Sequence, residues 1–246
     1  MKFISGLILM LTVMQNNYAD IPFGRDTIST GQGDMVITFI GHASLMFQFN
    51  GLVIHVDPVS QEADYSLFPK ADIIIITHEH FDHFDHEALQ KIMKEDTKVY
   101  LTRKCIEGSG DLGNAVVMKN GDTQETSGIT IEAVPAYNIV HMRSPGKPFH
   151  PKGEGNGYIL TLGNKRVYIA GDTENTPEMK ALKDIDIAFL PMNTPYTMTP
   201  EMVADAVKAF KPAVLYPYHY GNTRTDKLLE LLEKSNDTEV RIRDLQ

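Results

Sequence analysis

The sequence predicts an α/β chain folded as a four-layer αββα sandwich, and three observations carry that expectation. Short β-branched or apolar runs alternate with segments of helical spacing, and the pattern occurs in both halves of the chain, so two such halves can pack face to face. No internal repeat is visible, and no linker divides the 246 residues. That length supports one domain with a sizeable core, and an apolar content of 42% is ordinary for a globular protein.

The first residues stand apart. Lys2 precedes an apolar run from Phe3 to Met14, followed by Gln15-Asn16-Asn17 and Tyr18-Ala19-Asp20. This layout predicts a secretory signal peptide over 1–19, with an uncleaved membrane anchor as the alternative. The run is too short to span a bilayer comfortably. Residues 20–246 then form the domain, exported to the periplasm with no stable membrane insertion once the leader is removed. No cysteine lies near the end of the run, which argues against a lipoprotein.

From Asp20 to Gly33, Pro22, Gly24, Gly31 and Gly33 predict a loop. Val36 to Ile40, Ser44 to Phe49 and Leu52 to Val56 read as strands, the last two joined by an Asn50-Gly51 hairpin turn. Ile73 to Ile76 is short, β-branched and continuous, which suits a strand buried on both faces. A helix is expected from His86 to Glu95 with Asp85 as its cap, and strands at Lys98 to Leu101, Val116 to Met118 and Ile129 to Pro135. The second half repeats the pattern with strands at Tyr158 to Leu162, Arg166 to Ala170, Ile185 to Leu190 and Val214 to Tyr218. Thr199-Pro200-Glu201 opens an amphipathic helix, and Thr225 to Lys234 forms another.

The chemistry concentrates where the Ile73 to Ile76 strand ends, in His78-Glu79-His80-Phe81-Asp82-His83. Side chains alternate along a strand, so His78 and His80 leave its end on one side while Glu79 points away. Asp82 and His83 approach the same point as the chain turns toward the helix. Imidazole and carboxylate suit Zn, Fe, Mn or Ni, and the donors outnumber what one closed structural ion uses. Asp172 follows the strand Val167-Tyr168-Ile169-Ala170 and Gly171, where a carboxylate can bridge two cations. His219 occupies a comparable place after Val214 to Pro217. The long loop from Ala136 to Gly157 holds two more candidates, His141 and His150. His42 and His55 are expected to serve the core or the surface. Asn193, Tyr196 and Tyr220 lie on loops at strand ends and are candidate substrate contacts.

His78-Glu79-His80-Phe81-Asp82-His83 resembles the signature of the metallo-β-lactamase-fold hydrolases. Gly41-His42-Ala43-Ser44, Val56-Asp57-Pro58, Ala170-Gly171-Asp172-Thr173 and Tyr218-His219-Tyr220-Gly221 recur in the family's order. The resemblance implies the αββα fold and two divalent ions, zinc first, with manganese, iron or nickel open. It implies one ion held by His78, His80 and His150, a second held by Asp82, His83 and His219, and Asp172 between them. His150-Pro151-Lys152-Gly153 favours His150 over His141 as the third histidine, and Asp57 would orient a ligand histidine from beneath. The implied reaction is attack by an activated hydroxide on a small ester, lactone or phosphodiester, with Asp82 or Asp172 relaying the proton. A β-lactamase-type amide hydrolase ranks lower because the best-known branch has cysteine where this chain has Asp172. A non-catalytic periplasmic metal binder is the alternative from another class.

Composition narrows the partners to small molecules. The net charge is −9, and removing residues 1–19 deletes one lysine and no acid, giving −10. Nucleic-acid binding depends on neutralising phosphates, so an acidic surface disfavours it. Cys105 is the only cysteine, which excludes an intramolecular disulfide and predicts a small buried thiol.

Overall fold

The protein is described by a computed structural model over residues 21–109, 112–235 and 237–245. The first sheet contains β1 (Arg25–Ser29), β2 (Asp34–Gly41), β3 (Ser44–Phe49), β4 (Leu52–Val56), β5 (Ile73–Ile75), β6 (Lys98–Leu101) and β7 (Ala115–Val117), in that spatial order. Strands β1 to β4 are antiparallel neighbours, and β4 to β7 run parallel. The second sheet follows the same plan. Its antiparallel part is β8 (Thr123–Thr126) and β9 (Ile129–Ala136), followed, after a small hairpin of β10 (Met142–Ser144) and β11 (Lys147–Pro148), by β12 (Gly155–Leu162) and β13 (Lys165–Ile169). Its parallel part adds β14 (Ile187–Pro191), β15 (Val214–Tyr218) and β16 (Glu239–Val240).

Alternation along the strands builds the layers. In β3, Leu45, Phe47 and Phe49 face the second sheet, while Met46 faces out toward the helices. In β5, Ile73 and Ile75 join the inner core and Ile74 the outer one, so the strand is buried on both faces as its composition predicts. Two helices, α1 (His86–Ile92) and α2 (Arg103–Ser109), cover the first sheet with Ala88, Leu89, Ile92 and Cys105. The other sheet is covered by α3 (Pro177–Lys180), α4 (Pro200–Phe210) and α5 (Thr225–Leu232). Helix α4 starts as its sequence dictates: the Thr199 hydroxyl accepts from Met202 N–H, and Pro200 fills the first turn. It buries Val203, Ala206, Val207 and Phe210 against the sheet. The result is the expected four-layer αββα sandwich.

The segment expected to be a loop before Gly33 instead contains β1, which pairs with β2 from Arg25↔Thr38 to Ser29↔Asp34. Its sequence, Arg-Asp-Thr-Ile-Ser, has one apolar residue and therefore no alternation to read. The predicted leader, residues 1–19, lies outside the described residues. Among those described, no helix is long and apolar enough to cross a membrane.

Candidate active site

One rim of the sandwich receives the ends of strands from both sheets. His42 follows β2, Asp57 follows β4, and the His78–His83 segment follows β5. Across the core, Asn138 follows β9, Asp172 follows β13, Asn193 follows β14 and His219 follows β15, while His150 precedes β12. Three of these residues take left-handed backbone angles: His42 (φ 50°), Asp57 (φ 43°) and His219 (φ 47°). Such angles are uncommon outside glycine, and their gathering at one rim marks a place where side-chain aim overrides backbone preference.

The donor atoms form two groups. His78, His80, His150 and Asp172 converge on one point, and His42, Asp82, His83 and His219 on another. Asp172 faces both. Its Oδ2 lies 3.2 Å from His150 Nε2 and 3.9 Å from His78 Nε2, while Oδ1 lies 3.3 Å from His83 Nε2 and 3.5 Å from His219 Nε2. Donors around one tetrahedral ion with bonds of about 2.1 Å stand about 3.4 Å apart, so this spacing fits a cation on each side. His42 enters the second group unheralded by sequence reasoning, with Nε2 3.4 Å from Asp82 Oδ2 and its ring 3.8 Å from that of His219.

Hydrogen bonds from beneath aim the imidazoles. The Thr77 hydroxyl donates to Asp57 Oδ2 at 2.7 Å, so its oxygen accepts from His78 Nδ1–H at 3.1 Å. His83 Nδ1–H donates to Asp57 Oδ2 at 2.8 Å, and His150 Nδ1–H to Asn138 Oδ1 at 2.7 Å. In all three the Nε2 lone pair is thereby turned inward, the arrangement metal-binding histidines use. His78 Nε2, His83 Nε2, His219 Nε2 and Asp172 Oδ1 are buried with no hydrogen-bond partner. Unsatisfied buried groups cost about 1–3 kcal/mol each, and coordination to a cation cancels that cost, so the donor set fits metal.

Electrostatics point the same way. Burial raises the Asp172 carboxyl, but the His219 and His83 rings outweigh it and hold it well below the usual carboxylate range. Asp82 is likewise lowered by His219 and His42 against the effect of burial. Burial, then the neighbouring His83, pushes His78 well below an ordinary histidine, which keeps its nitrogen free to bind a cation. Both carboxylates stay ionised, as ligands must.

The remaining candidates separate clearly. His150 points into the cluster, whereas His141 turns away, with Nδ1 2.6 Å from Glu174 Oε1. His55 is a core residue, fully buried and bonded to the Pro69 carbonyl at 3.2 Å. Beyond the donors, Phe81, Arg143, Phe149, Asn193 and Tyr196 complete the wall of a cavity of about 420 Å³. Tyr220, a candidate substrate contact from sequence, is not part of that wall: it is buried and its hydroxyl donates to the Arg243 carbonyl at 2.7 Å. The C-terminal segment that covers it has no periodicity to announce it.

Known proteins resemble this chain along most of its length. The sequence profile of the beta-lactamase superfamily domain matches residues 36–219. A metal-dependent hydrolase of Methanopyrus kandleri is 30% identical over 196 residues, covering 76% of this chain and 84% of that protein. A crystal structure from Parabacteroides distasonis, of a protein assigned to the metal-dependent hydrolases, is 51% identical with a TM-score of 0.86, covering 91% of this chain and all of that one (100%). Igni18, a metallo hydrolase of Ignicoccus hospitalis, shares the fold at 23% identity and a TM-score of 0.70, covering 86% and 95% of the two chains. With donors at the strand ends and likeness running through both sheets, the chain belongs to the metallo-β-lactamase superfamily, as one of its metal-dependent hydrolases.

Proposed function

We propose that this hydrolase works with two divalent ions, zinc in the first instance, on a small ester, lactone or phosphodiester. His78, His80 and His150 would hold one ion and Asp82, His83 and His219 the other, with Asp172 available to both. The observation that carries the reading is the division of Asp172, with one oxygen turned to each histidine group. Bound there, the ions supply an acidified water as nucleophile and positive charge for the developing oxyanion. The chain does the rest. Asp57, Thr77 and Asn138 fix the rings. Asp82, whose side chain is 30% exposed at the cavity wall, is placed to carry a proton to the leaving oxygen. The all-nitrogen-and-oxygen donor set supports zinc, manganese, iron or nickel over ions that need thiolate. The Lys2 and Phe3–Met14 pattern supports export, with 20–246 as the periplasmic domain.

Elemental analysis tests this reading. Wild-type protein is expected to hold two ions, His150→Ala to lose about one, and His141→Ala none. Asp172→Ala should keep its circular dichroism yet lose hydrolysis across an ester, lactone and phosphodiester panel. One ion in the wild type, or full activity in Asp172→Ala, rejects the two-ion reading.

A further inference from the structure

We propose that the substrate of this site joins an apolar body to a separate carboxylate, and that Arg143 binds that carboxylate. The proposal rests on the hydrolase reading and adds the class of molecule hydrolysed, an anionic ester or lactone.

The cavity wall is aromatic on the side away from the donors. Phe149 meets Tyr196 edge to face at 5.1 Å, and Phe81 is 73% exposed beside them. Seven large hydrophobic side chains are exposed among the described residues, and five of them, Phe81, Ile139, Val140, Met142 and Tyr196, lie on the three loops that border this cavity. Apolar side chains exposed singly are ordinary, but their concentration around one mouth marks a surface that gains from being covered. A volume of about 420 Å³ is that of a small-molecule pocket.

Arg143 breaks this apolar wall. It sits on β10, its guanidinium carbon 5.8 Å from the Phe149 ring centroid. Arg166, Arg224, Arg241 and Arg243 each hold a carboxylate; among the described residues no ion pair engages Arg103 or Arg143, and of these two only Arg143 lines the cavity. In a chain of net charge −9, a cation left over at the mouth of the site runs against the composition. A guanidinium lying against an aromatic ring keeps its edge free for bidentate pairing with a carboxylate. The two Asp carboxylates of the wall do not compete, because Asp82 and Asp172 are turned to the histidines. In the reaction, water oxygen bonds to the acyl carbon, the carbon–oxygen ester bond breaks with its electron pair on the leaving oxygen, and that oxygen takes a proton. The products are an acid and an alcohol, with no redox partner.

The test compares mono-4-nitrophenyl adipate with 4-nitrophenyl hexanoate, which differ only in the distal carboxylate, using metal-loaded protein. Wild type is expected to favour the adipate in kcat/KM by about tenfold, the yield of one charge-assisted pair. That ratio should fall toward one in Arg143→Ala and recover in part in Arg143→Lys. A wild-type ratio near one, or an unchanged ratio in Arg143→Ala, overturns the proposal. Calorimetry with 6-phenylhexanoate and 6-phenylhexanol separates this from the parent reading. Binding of the acid, but not the alcohol, should weaken about tenfold in Arg143→Ala; equal affinities overturn the proposal whether or not an ester turns over. Arg143-dependent binding with no turnover of either ester upholds the ligand class and removes simple esters from the proposed substrates.

Discussion

The His42 carbonyl accepts the backbone N–H of His219 at 3.0 Å while their rings lie 3.8 Å apart, so the end of β2 and the end of β15 are locked across the two sheets at the donor cluster. His42 Nε2 also meets Asp82 Oδ2 at 3.4 Å. The imidazole thus bears on two members of the second donor group at once. Replacing it by asparagine keeps a residue that tolerates the left-handed backbone and removes the ring. His42→Asn is expected to fold normally, retain tight binding of one ion and bind the other about 10–100-fold more weakly, the usual effect of losing a group that supports a metal ligand. Competition titration against a chelating dye measures both constants, and two unchanged constants would show that His42 is a bystander.

A second support reaches the cluster from farther away. The Glu174 carboxylate is fully buried and accepts the backbone N–H groups of Ile139 and Val140 at 2.6 Å, that of His141 at 2.8 Å, and the Asn138 amide at 3.2 Å. Burial raises its carboxyl, but those backbone donors outweigh burial and keep it ionised. Because Asn138 in turn holds His150, Glu174 fixes the loop that delivers a donor. Glutamine is the same size but turns an NH₂ toward N–H groups, leaving donors unmatched at about 1–3 kcal/mol each. Glu174→Gln should speed proteolysis between 138 and 149 and weaken the ion at the His78–His80–His150 group, leaving the other group unaffected. Equal loss at both groups would mean that the effect is global unfolding.

How much of this was readable from sequence depends on where each signal resides. The β5 strand and its donors are legible because a β-branched run and the histidines lie together within a dozen residues, and α4 carries its own cap and stripe. Strand β1 is not, because its hold is distant: Asp26 accepts from Tyr216 at 2.5 Å and pairs with Arg243 at 2.6 Å, both far along the chain. His42 is illegible for the same reason. A histidine after a glycine looks like any loop histidine until a left-handed turn and a pairing 40 positions away bring it to Asp82. The hairpin of β10 and β11 is equally silent in the sequence, since Met142–Ser144 and Lys147–Pro148 offer no alternation within a long loop.

Gly171 shows what a legible glycine does. It sits at φ 64°, and a Cβ there would lie 2.8 Å from the Asn156 carbonyl oxygen and 3.1 Å from Thr77 Cβ. Its N–H also donates to the Tyr218 hydroxyl at 2.8 Å, so the backbone cannot retreat. Alanine costs about 1–2 kcal/mol for the left-handed angle alone, and the overlap with backbone adds to it. Gly171→Ala should lower the melting temperature by about 5 °C or more and, by displacing Asp172 next to it, reduce hydrolysis more than stability. A variant with the wild-type melting curve and rate would show that the peptide shifts freely.

Acid sensitivity should trace in part to His55, which is not among the donors and packs in the outer core of the first sheet. Its ring is wholly buried among Tyr65 and Phe68, donates from Nε2 to the Pro69 carbonyl, and leaves Nδ1 without a partner. Protonating Nδ1 therefore places an unpaired charge in the core, and burial pushes the pKa down to about 4 despite the Pro69 bond. In the unfolded chain the ring titrates near its ordinary value of about 6.5, so between those two values the unfolded state binds a proton that the native state refuses. The contribution is fully present above pH ~6.5 and is lost as the pH falls toward ~4, amounting to about 3 kcal/mol across the window. His55→Phe keeps the size and abolishes the titration. Urea unfolding of metal-free wild type and variant at pH 7, 5.5 and 4.5 should show the variant losing less stability at each step down, by up to about 2 kcal/mol at the lowest. Parallel losses in the two proteins would show that His55 takes up its proton without unfolding the chain.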